Sequence, residues 1–382
     1  MLGIIAALAS IYSHYLGFRF DREVSASLSQ PRRAFKPRAC LVMPCKGNEE
    51  HLARNIEAIL TQTYPEYRTI IVTDTVEDPA YSVAKSVLDH HVQADAELCI
   101  SKQRVSCSGK VAALLTALER DAWANDVYVF VDSDALVPPR WLMDLVDPLG
   151  DDCVGASTGF RWYFPSGGFW SHVQSAWNAS GTNLLFDERY NFPWGGAMAI
   201  RAETLKKIDI ESVWQRAISD DLTLNAALRD HGYGITFLPQ CTVASYERAT
   251  AVGFLKWAIR QTAITKIFNR RLWNYALGAY LFFDIIVLLA AISLIAGAVL
   301  SAAWFLPAGL LLVPSASGLW RSSQRIATFR RAMPEFVEEF DRTRLADSIA
   351  SLIVPWIMTY CIIASARMKE IEWRGRKYKL AR

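Results

Sequence analysis

The sequence predicts an α/β fold, a mostly parallel, doubly wound sheet, followed by a region of membrane-associated helices. Three observations carry this. Between residues 39 and 131, short apolar β-prone runs alternate with segments of helical period, the signature of βαβ units. Two of those runs end in carboxylates: residues 69–72 before Asp74, and residues 127–131 before Asp132-Ser133-Asp134. After residue 250 the composition turns to long apolar stretches, and residues 275–300 are long enough to cross a bilayer.

Composition narrows the function. Charge is nearly balanced, 41 Lys and Arg against 38 Asp and Glu, so no polyanionic partner such as nucleic acid is expected. Apolar content of 52% with 13 tryptophans is high for a soluble enzyme and is unevenly distributed. The seven cysteines, at 40, 45, 99, 107, 153, 241 and 361, form no C-x-x-C pair and no Cys/His zinc spacing. Such a set implies reduced, mostly buried thiols on the cytoplasmic side.

Residues 1–20 read as an uncleaved membrane anchor, because the apolar stretch 2–18 lacks a small-residue cleavage site. Arg19, Arg22, Arg32, Arg33, Lys36 and Arg38 follow it and put the next segment in the cytoplasm. Residues 24–38 read as a linker. The α/β domain is expected over residues 36–250. Its first strand is 39–44, turning through Lys46-Gly47 into a helix at 49–62 that Tyr64-Pro65 ends. A strand at 69–72, a helix at 79–89, a short strand at 97–100 and a helix at 109–121 lead to the strand at 127–131. Further on come a β-like stretch at 155–163, helical period over 165–190, a Gly-led strand from Gly195, a helix from Ser219 to Asp230 and a strand at 233–238.

Residues 251–274 read as an interfacial amphipathic helix, with Trp257 and Ile264 among Lys256, Arg260 and Lys266. Residues 275–366 are expected to be transmembrane or interfacial helices, and residues 367–382 a basic cytoplasmic tail. Three crossings from residue 270 would put that tail outside, against its charge, so one hydrophobic stretch is expected to be re-entrant or the count to be lower.

The strand at 127–131 delivers Asp132 and Asp134 to the carboxyl edge of a parallel sheet, where such sheets bind ligands. Their hard oxygens can hold Mg²⁺ or Mn²⁺ while leaving positions for a substrate diphosphate. The alternative is a loop whose aspartates cap the next helix. Asp74 ends the neighbouring strand, and Asp78 before Pro79 is also ordinary turn chemistry.

An ordered set of residues also resembles a known family. Pro44-x-Lys46-Gly47, Leu52, Asn55, Gln62, Tyr64-Pro65-x-Tyr67, Asp74 and Asp78-Pro79-Ala80 are similar to the opening of the ceramide-glucosyltransferase-like branch of inverting family 2 glycosyltransferases. The resemblance continues through Gly109-Lys110, Asp132-x-Asp134, Gly195-Gly196 with Arg201, and Ser219-Asp220-Asp221-Leu222, and covers roughly residues 40–265. It implies a GT-A fold and transfer of a hexose from a nucleotide-sugar, usually a UDP-sugar, with inversion. By the same resemblance Asp74 contacts the nucleotide base, Asp134 ligates the metal and Asp132 supports it or binds ribose. Asp221 is the general base, with Asp220 beside it as the second catalytic candidate. Lys46, Lys110, Asp78, Arg260 and Gln261 are candidates for the donor's phosphates and base, and Trp194, Gly195 and Gly196 for the sugar and acceptor pocket. One departure stands out: where relatives carry Gln/Arg-x-x-Arg-Trp on the interfacial helix, Arg260-Gln261 begin the motif but Ile264 and Thr265 end it. The tail Trp373-Arg374-Gly375-x-x-Tyr378 resembles that of such membrane enzymes. The apolar segments argue for a lipid acceptor. The alternatives are a processive polysaccharide synthase and a catalytically silent, membrane-anchored scaffold that binds nucleotide-sugars.

Overall fold

The computed structural model describes residues 2–104, 106–373 and 376–379. The chain runs α1 (Leu2–Ser29), β1 (Ala39–Cys45), α2 (Leu52–Leu60), β2 (Tyr67–Thr73), α3 (Pro79–His90), β3 (Ala96–Ile100), α4 (Gly109–Asp121), β4 (Val127–Val131) and α5 (Trp141–Val146). Then come β5 (Val154–Thr158), β6 (Arg161–Pro165), α6 (Phe169–Ser180), β7 (Ala197–Arg201), α7 (Ala202–Lys207), α8 (Ile210–Trp214), α9 (Asp220–Asp230), β8 (Gly234–Phe237) and β9 (Val243–Glu247). The C-terminal part holds α10 (Ala251–Phe268), α11 (Arg270–Val299), α12 (Phe305–Ala332), α13 (Val337–Ala350), α14 (Val354–Ser365) and a hairpin of β10 (Glu370–Trp373) and β11 (Arg376–Lys379). Arg374 and Gly375 of the tail motif lie outside the described residues.

The main sheet has the order β3-β2-β1-β4-β7-β5-β8. All its pairs are parallel except those of β7, which runs antiparallel between β4 and β5. The α/β class and the mostly parallel sheet are as expected. The 155–163 stretch divides into β5 and β6, and β6 pairs with β9 in a small second sheet. Gly159 marks the break: a Cβ there would lie 1.9 Å from the Cys241 carbonyl oxygen.

The strand order places the topological switch point between β1 and β4. From β1 the chain winds outward through β2 and β3, then returns to add β4 on the other side. At such a point the loops after two neighbouring strands part and leave a crevice. Strand β4 is buried at every position. Each large side chain contributes about 1.5–3 kcal/mol, which fixes where the strand ends and its carboxylates begin. The cysteines are free, and all but Cys153 are buried or half-buried.

Among the described residues two helices are long and apolar enough to cross a membrane, Arg270–Val299 and Ala302–Ala332. A third span would need α13 and α14 taken together with Pro334–Phe336, a pair bent by 65°. At 12 residues α14 is about 18 Å long, well short of a ~30 Å hydrocarbon core. The N-terminal helix is longer than expected and absorbs the first part of the 24–38 linker. It lies parallel to α12 along its length: Gly3 faces Leu310, His14 meets Ser317, Gly17 meets Arg321 and Asp21 meets Thr328. Its outer face shows Ile4, Leu8, Ile11 and Phe18, each more than half exposed. Ala6 joins Ile286, Ala290 and Leu311 in one cluster, so α1, α11 and α12 form a bundle. At the other end Phe20 and Val24 enter the aromatic core of Trp162, Phe164, Phe329 and Phe340, which welds the bundle to the α/β domain.

Candidate active site

The edge formed by the carboxyl ends of β1, β2 and β4 gathers the predicted residues. Asp74, one residue past β2, pairs with Lys46, one residue past β1, at 2.5 Å. Asp78 caps α3 by accepting from Ala80 N at 2.9 Å, and it also accepts from Gly47 N at 2.8 Å. Its carboxylate joins the β1 and β2 loops, so here the turn role is the one the geometry displays.

Past β4, Asn55 donates to the Ser133 carbonyl at 2.8 Å and Ser245 donates to the Asp134 carbonyl at 2.7 Å. Gln62 holds the same loop further on, donating to the Pro138 carbonyl at 3.0 Å and accepting from Leu142 N at 2.9 Å. Asn55 and Gln62 thus act on the backbone that presents the aspartates.

Two largely enclosed cations, their side chains 11% and 14% exposed, define the electrostatics. The Arg161 guanidinium reaches Asp132 at 2.9 Å and Asp134 at 2.6 and 2.8 Å. Its backbone is held by Asn178 at 2.7 Å, and its charge lies over the Trp194 ring at 4.9 Å. Burial opposes its charge, but Asp134, Tyr163 and Asp132 outweigh that and hold its pKa well above the usual value. Sequence analysis missed Arg161. The signal was there: a lone charge in the aromatic run Phe160-Arg161-Trp162-Tyr163-Phe164, because a long charged side chain is seldom buried unpaired.

Lys110 is the second cation. Ser108 caps its helix and puts it in the first turn of α4. Its ammonium meets Asp132 at 2.8 Å, Asp220 at 2.9 Å and the Gly195 carbonyl at 3.1 Å. Three acceptors match its three protons, which makes Lys110 an internal bridge between β4 and α9. Burial again opposes the charge, and Asp132, Asp220 and Asp221 raise the pKa above the ordinary lysine value.

Helix α9 opens with Ser219 as cap and Asp220 and Asp221 in its first turn, where the exposed N–H groups favour carboxylates. The two aspartates part company there. Asp220 is 3% exposed and faces Lys110. Asp221 is half-buried; one oxygen accepts from Leu222 N at 2.7 Å and from the Ser219 hydroxyl, and the other lies 3.5 Å from Gly195 N. The expected double glycine is required by close approach. A Cβ on Gly195 would fall 2.2 Å from the Asp220 carboxylate, and one on Gly196 2.2 Å from the Trp194 ring and 2.7 Å from Asp132. Trp194 N donates to the Thr158 hydroxyl at 2.8 Å.

Burial pushes the Asp220 carboxyl up to about 6; Lys110 pulls it down, while Asp221 and Asp132 push it further up. Between the unfolded value near ~4 and that raised value, the folded protein holds the extra proton. This group therefore makes stability fall as pH rises through that window. Asp220→Asn is expected to flatten that slope in thermal melts between pH 4 and 7. A melt whose pH dependence is unchanged would show that another group sets it.

Arg260 and Gln261 are half-buried on α10. Trp257, one turn before them, packs on Tyr163 at 5.8 Å, and Tyr163 accepts from Arg161 at 2.9 Å. Spacing of three and four residues puts Arg260 and Gln261 on the same side of the helix as Trp257.

An edge that presents paired carboxylates at a switch point, with a further carboxylate at a facing helix start, is suited to handling an activated sugar. The class is that of the GT-A glycosyltransferases, as the match of the whole chain to a glycosyltransferase family shows. The family is set by the whole chain. Residues 1–382 match the profile of glycosyl transferase family 21, and the chain belongs to that family. The motifs resembled family 2; what the match establishes is the glycosyltransferase class, under number 21. The chain is also similar to hyaluronan synthase of Streptococcus pyogenes, 30% identical over 125 residues, or 32% of this chain and 28% of that protein. The synthase of S. pyogenes serotype M1 gives the same figures. The match thus spans under a third of the length of those relatives. A mannosyltransferase from Pyrobaculum calidifontis, solved with GDP-Man and Mn²⁺, aligns over 96% of this chain and 98% of its own at 19% identity and a TM-score of 0.47.

Proposed function

We propose that this family 21 enzyme is a membrane-bound inverting hexosyltransferase. It takes the sugar from a nucleotide-sugar, UDP-glucose or a similar donor, and sets it on a lipid hydroxyl in the manner of the ceramide glucosyltransferase branch. The observation that carries this reading is the meeting of Asp132 and Asp134 at the switch point with Asp221 across the Gly195-Gly196 loop, on a domain joined to a membrane-length bundle.

Asp221 takes the proton of the attacking hydroxyl. Its Ser219 and Leu222 contacts fix one oxygen and aim the other at the Gly195 loop. A carboxylate on the acceptor side suits in-line displacement, which inverts the anomeric carbon. Asp220 is too enclosed to meet an acceptor and instead neutralises Lys110. Asp74 and Lys46 bracket the nucleotide, and Arg260 and Gln261 approach its diphosphate from α10. Asp132 and Asp134 suit Mg²⁺ or Mn²⁺: a guanidinium already sits against both carboxylates as a stand-in cation, and Asp134 is 33% exposed. Among the described residues no group of three or more His, Cys, Asp or Glu could enclose a metal, so most of its positions would fall to substrate oxygens and water. Such an ion would neutralise the charge of the departing diphosphate.

The bundle favours a cytoplasmic catalytic domain. With α11 leaving and α12 returning, the segment after α12 begins on the side of the α/β domain, where Phe20 and Val24 of α1 also pack. The basic residues 19–38 and the basic tail then share the cytoplasmic face.

A transfer assay in native membranes tests the reading. Labelled UDP-glucose, UDP-galactose and UDP-GlcNAc are offered with Mn²⁺, with EDTA and Asp134→Ala as controls. A labelled extractable lipid, lost in both controls, is the expected result. Label in a high-polymer fraction would instead identify a processive synthase. Binding of UDP-sugars without transfer to any acceptor would identify a scaffold.

A further inference from the structure

Two arginines lie in the membrane-proximal part of α12 without an acidic partner among the described residues. Arg321 is 9% exposed, and its guanidinium donates to the neutral Asn183 amide oxygen at 3.1 Å. It reaches that site past α1 through a gap left by Gly17, where a Cβ would fall 1.2 Å from Nη1. Arg325 is one turn further on the same face; its Nε is enclosed and has no hydrogen-bond partner. Its electrostatic neighbours are Arg321 and Tyr280, and among the described residues no carboxylate acts on either guanidinium. Two like charges at this spacing repel, and an enclosed cation without a counter-ion is costly.

Toward the membrane, the same face of α12 carries a shallow, open depression lined by His14, Val313, Ala316, Ser317 and Trp320. Ser317, one turn before Arg321, lines the end of this depression nearer the arginines. Residues 305–320 are apolar, which sets Arg321 at about the depth where the hydrocarbon core ends and headgroups begin.

We infer that Arg321 and Arg325 form a binding site for the phosphate of an anionic bilayer phospholipid whose acyl chain lies along the neighbouring apolar face of α12. The phosphate supplies the missing counter-charge, and guanidinium forks match its oxygens. Basic pockets between membrane helices on the cytoplasmic side recognise headgroups in this way. Asn183 follows α6, whose Asn178 holds the Arg161 backbone, so one continuous segment connects Arg321 with the candidate site.

The test does not require turnover, so it stands or falls apart from the proposed transfer reaction. The full chain is reconstituted in nanodiscs of equal phosphatidylglycerol and phosphatidylcholine, and the lipids retained in detergent are read by native mass spectrometry. Wild type is expected to enrich phosphatidylglycerol by roughly ten- to thirtyfold, the effect of two basic side chains at the surface. The Arg321→Gln/Arg325→Gln protein is expected to lose that enrichment, and Arg321→Lys/Arg325→Lys, which keeps both charges, to retain most of it. Absence of enrichment in wild type overturns the inference whatever the variants do, as does enrichment that survives the glutamine pair. The transfer assay then separates the sources. An unchanged acceptor KM in the glutamine pair is expected for a bilayer phospholipid, and a raised one would overturn that assignment in favour of the acceptor.

Discussion

Asp221→Asn is expected to lower kcat by roughly two to four orders of magnitude, the usual worth of a positioned general base, with little change in donor binding. The geometry explains the split. Asp221 is held by its own helix start through Ser219 and Leu222 N and makes no ion pair with Lys110 or Arg161. Asparagine keeps the shape and can still accept from Leu222 N, so the first turn of α9 should persist while proton transfer is lost. The measurement is single-turnover transfer alongside UDP-sugar binding by calorimetry. If binding falls together with the rate, the carboxylate is holding the site together rather than taking a proton. Asp220→Asn gives the contrast: its carboxylate balances Lys110, so it should act on stability and its pH slope more than on the proton transfer itself.

Arg161→Gln is expected to tighten Mn²⁺ binding by about tenfold or more, the equivalent of ~1.4 kcal/mol. The guanidinium occupies the same carboxylate oxygens that a divalent ion would use, so the two compete. Without metal the variant should be less stable by roughly 2–3 kcal/mol, below the value for a fully buried pair because Asp134 is partly exposed. Mn²⁺ should then raise its Tm more than that of wild type. Electron paramagnetic resonance of free Mn²⁺ and melts with and without the ion read both effects. Equal or weaker Mn²⁺ affinity in the variant would mean that Arg161 orients the aspartates for the ion instead of competing with it.

Much of the frame was legible in the residues because it depends on neighbours in the chain. The run at 127–131 before Asp132, the helix opening at Ser219 and the helix beginning at Gly109 are local decisions of propensity and termination. Each appears where the pattern puts it. The membrane-length stretch before residue 300 is a matter of length and composition. What sequence periodicity did not carry was which charges would meet. Arg161 lies 27 residues from Asp134, and Lys110 spans 85 residues to Gly195. Those contacts exist because β7 inserts antiparallel beside β4 and because β6 leaves the main sheet. Likewise a re-entrant stretch was foreseen only as one way out of a charge conflict; the bend before α14 and the parallel pairing of α1 with α12 come from packing of whole helices. The amino-acid sequence determined the elements and the ends at which their carboxylates appear. The tertiary structure decided the counter-ions of those carboxylates and the path of the bundle, because both are set by contacts between segments far apart in the chain, where long-range packing and charge pairing outweigh local preference.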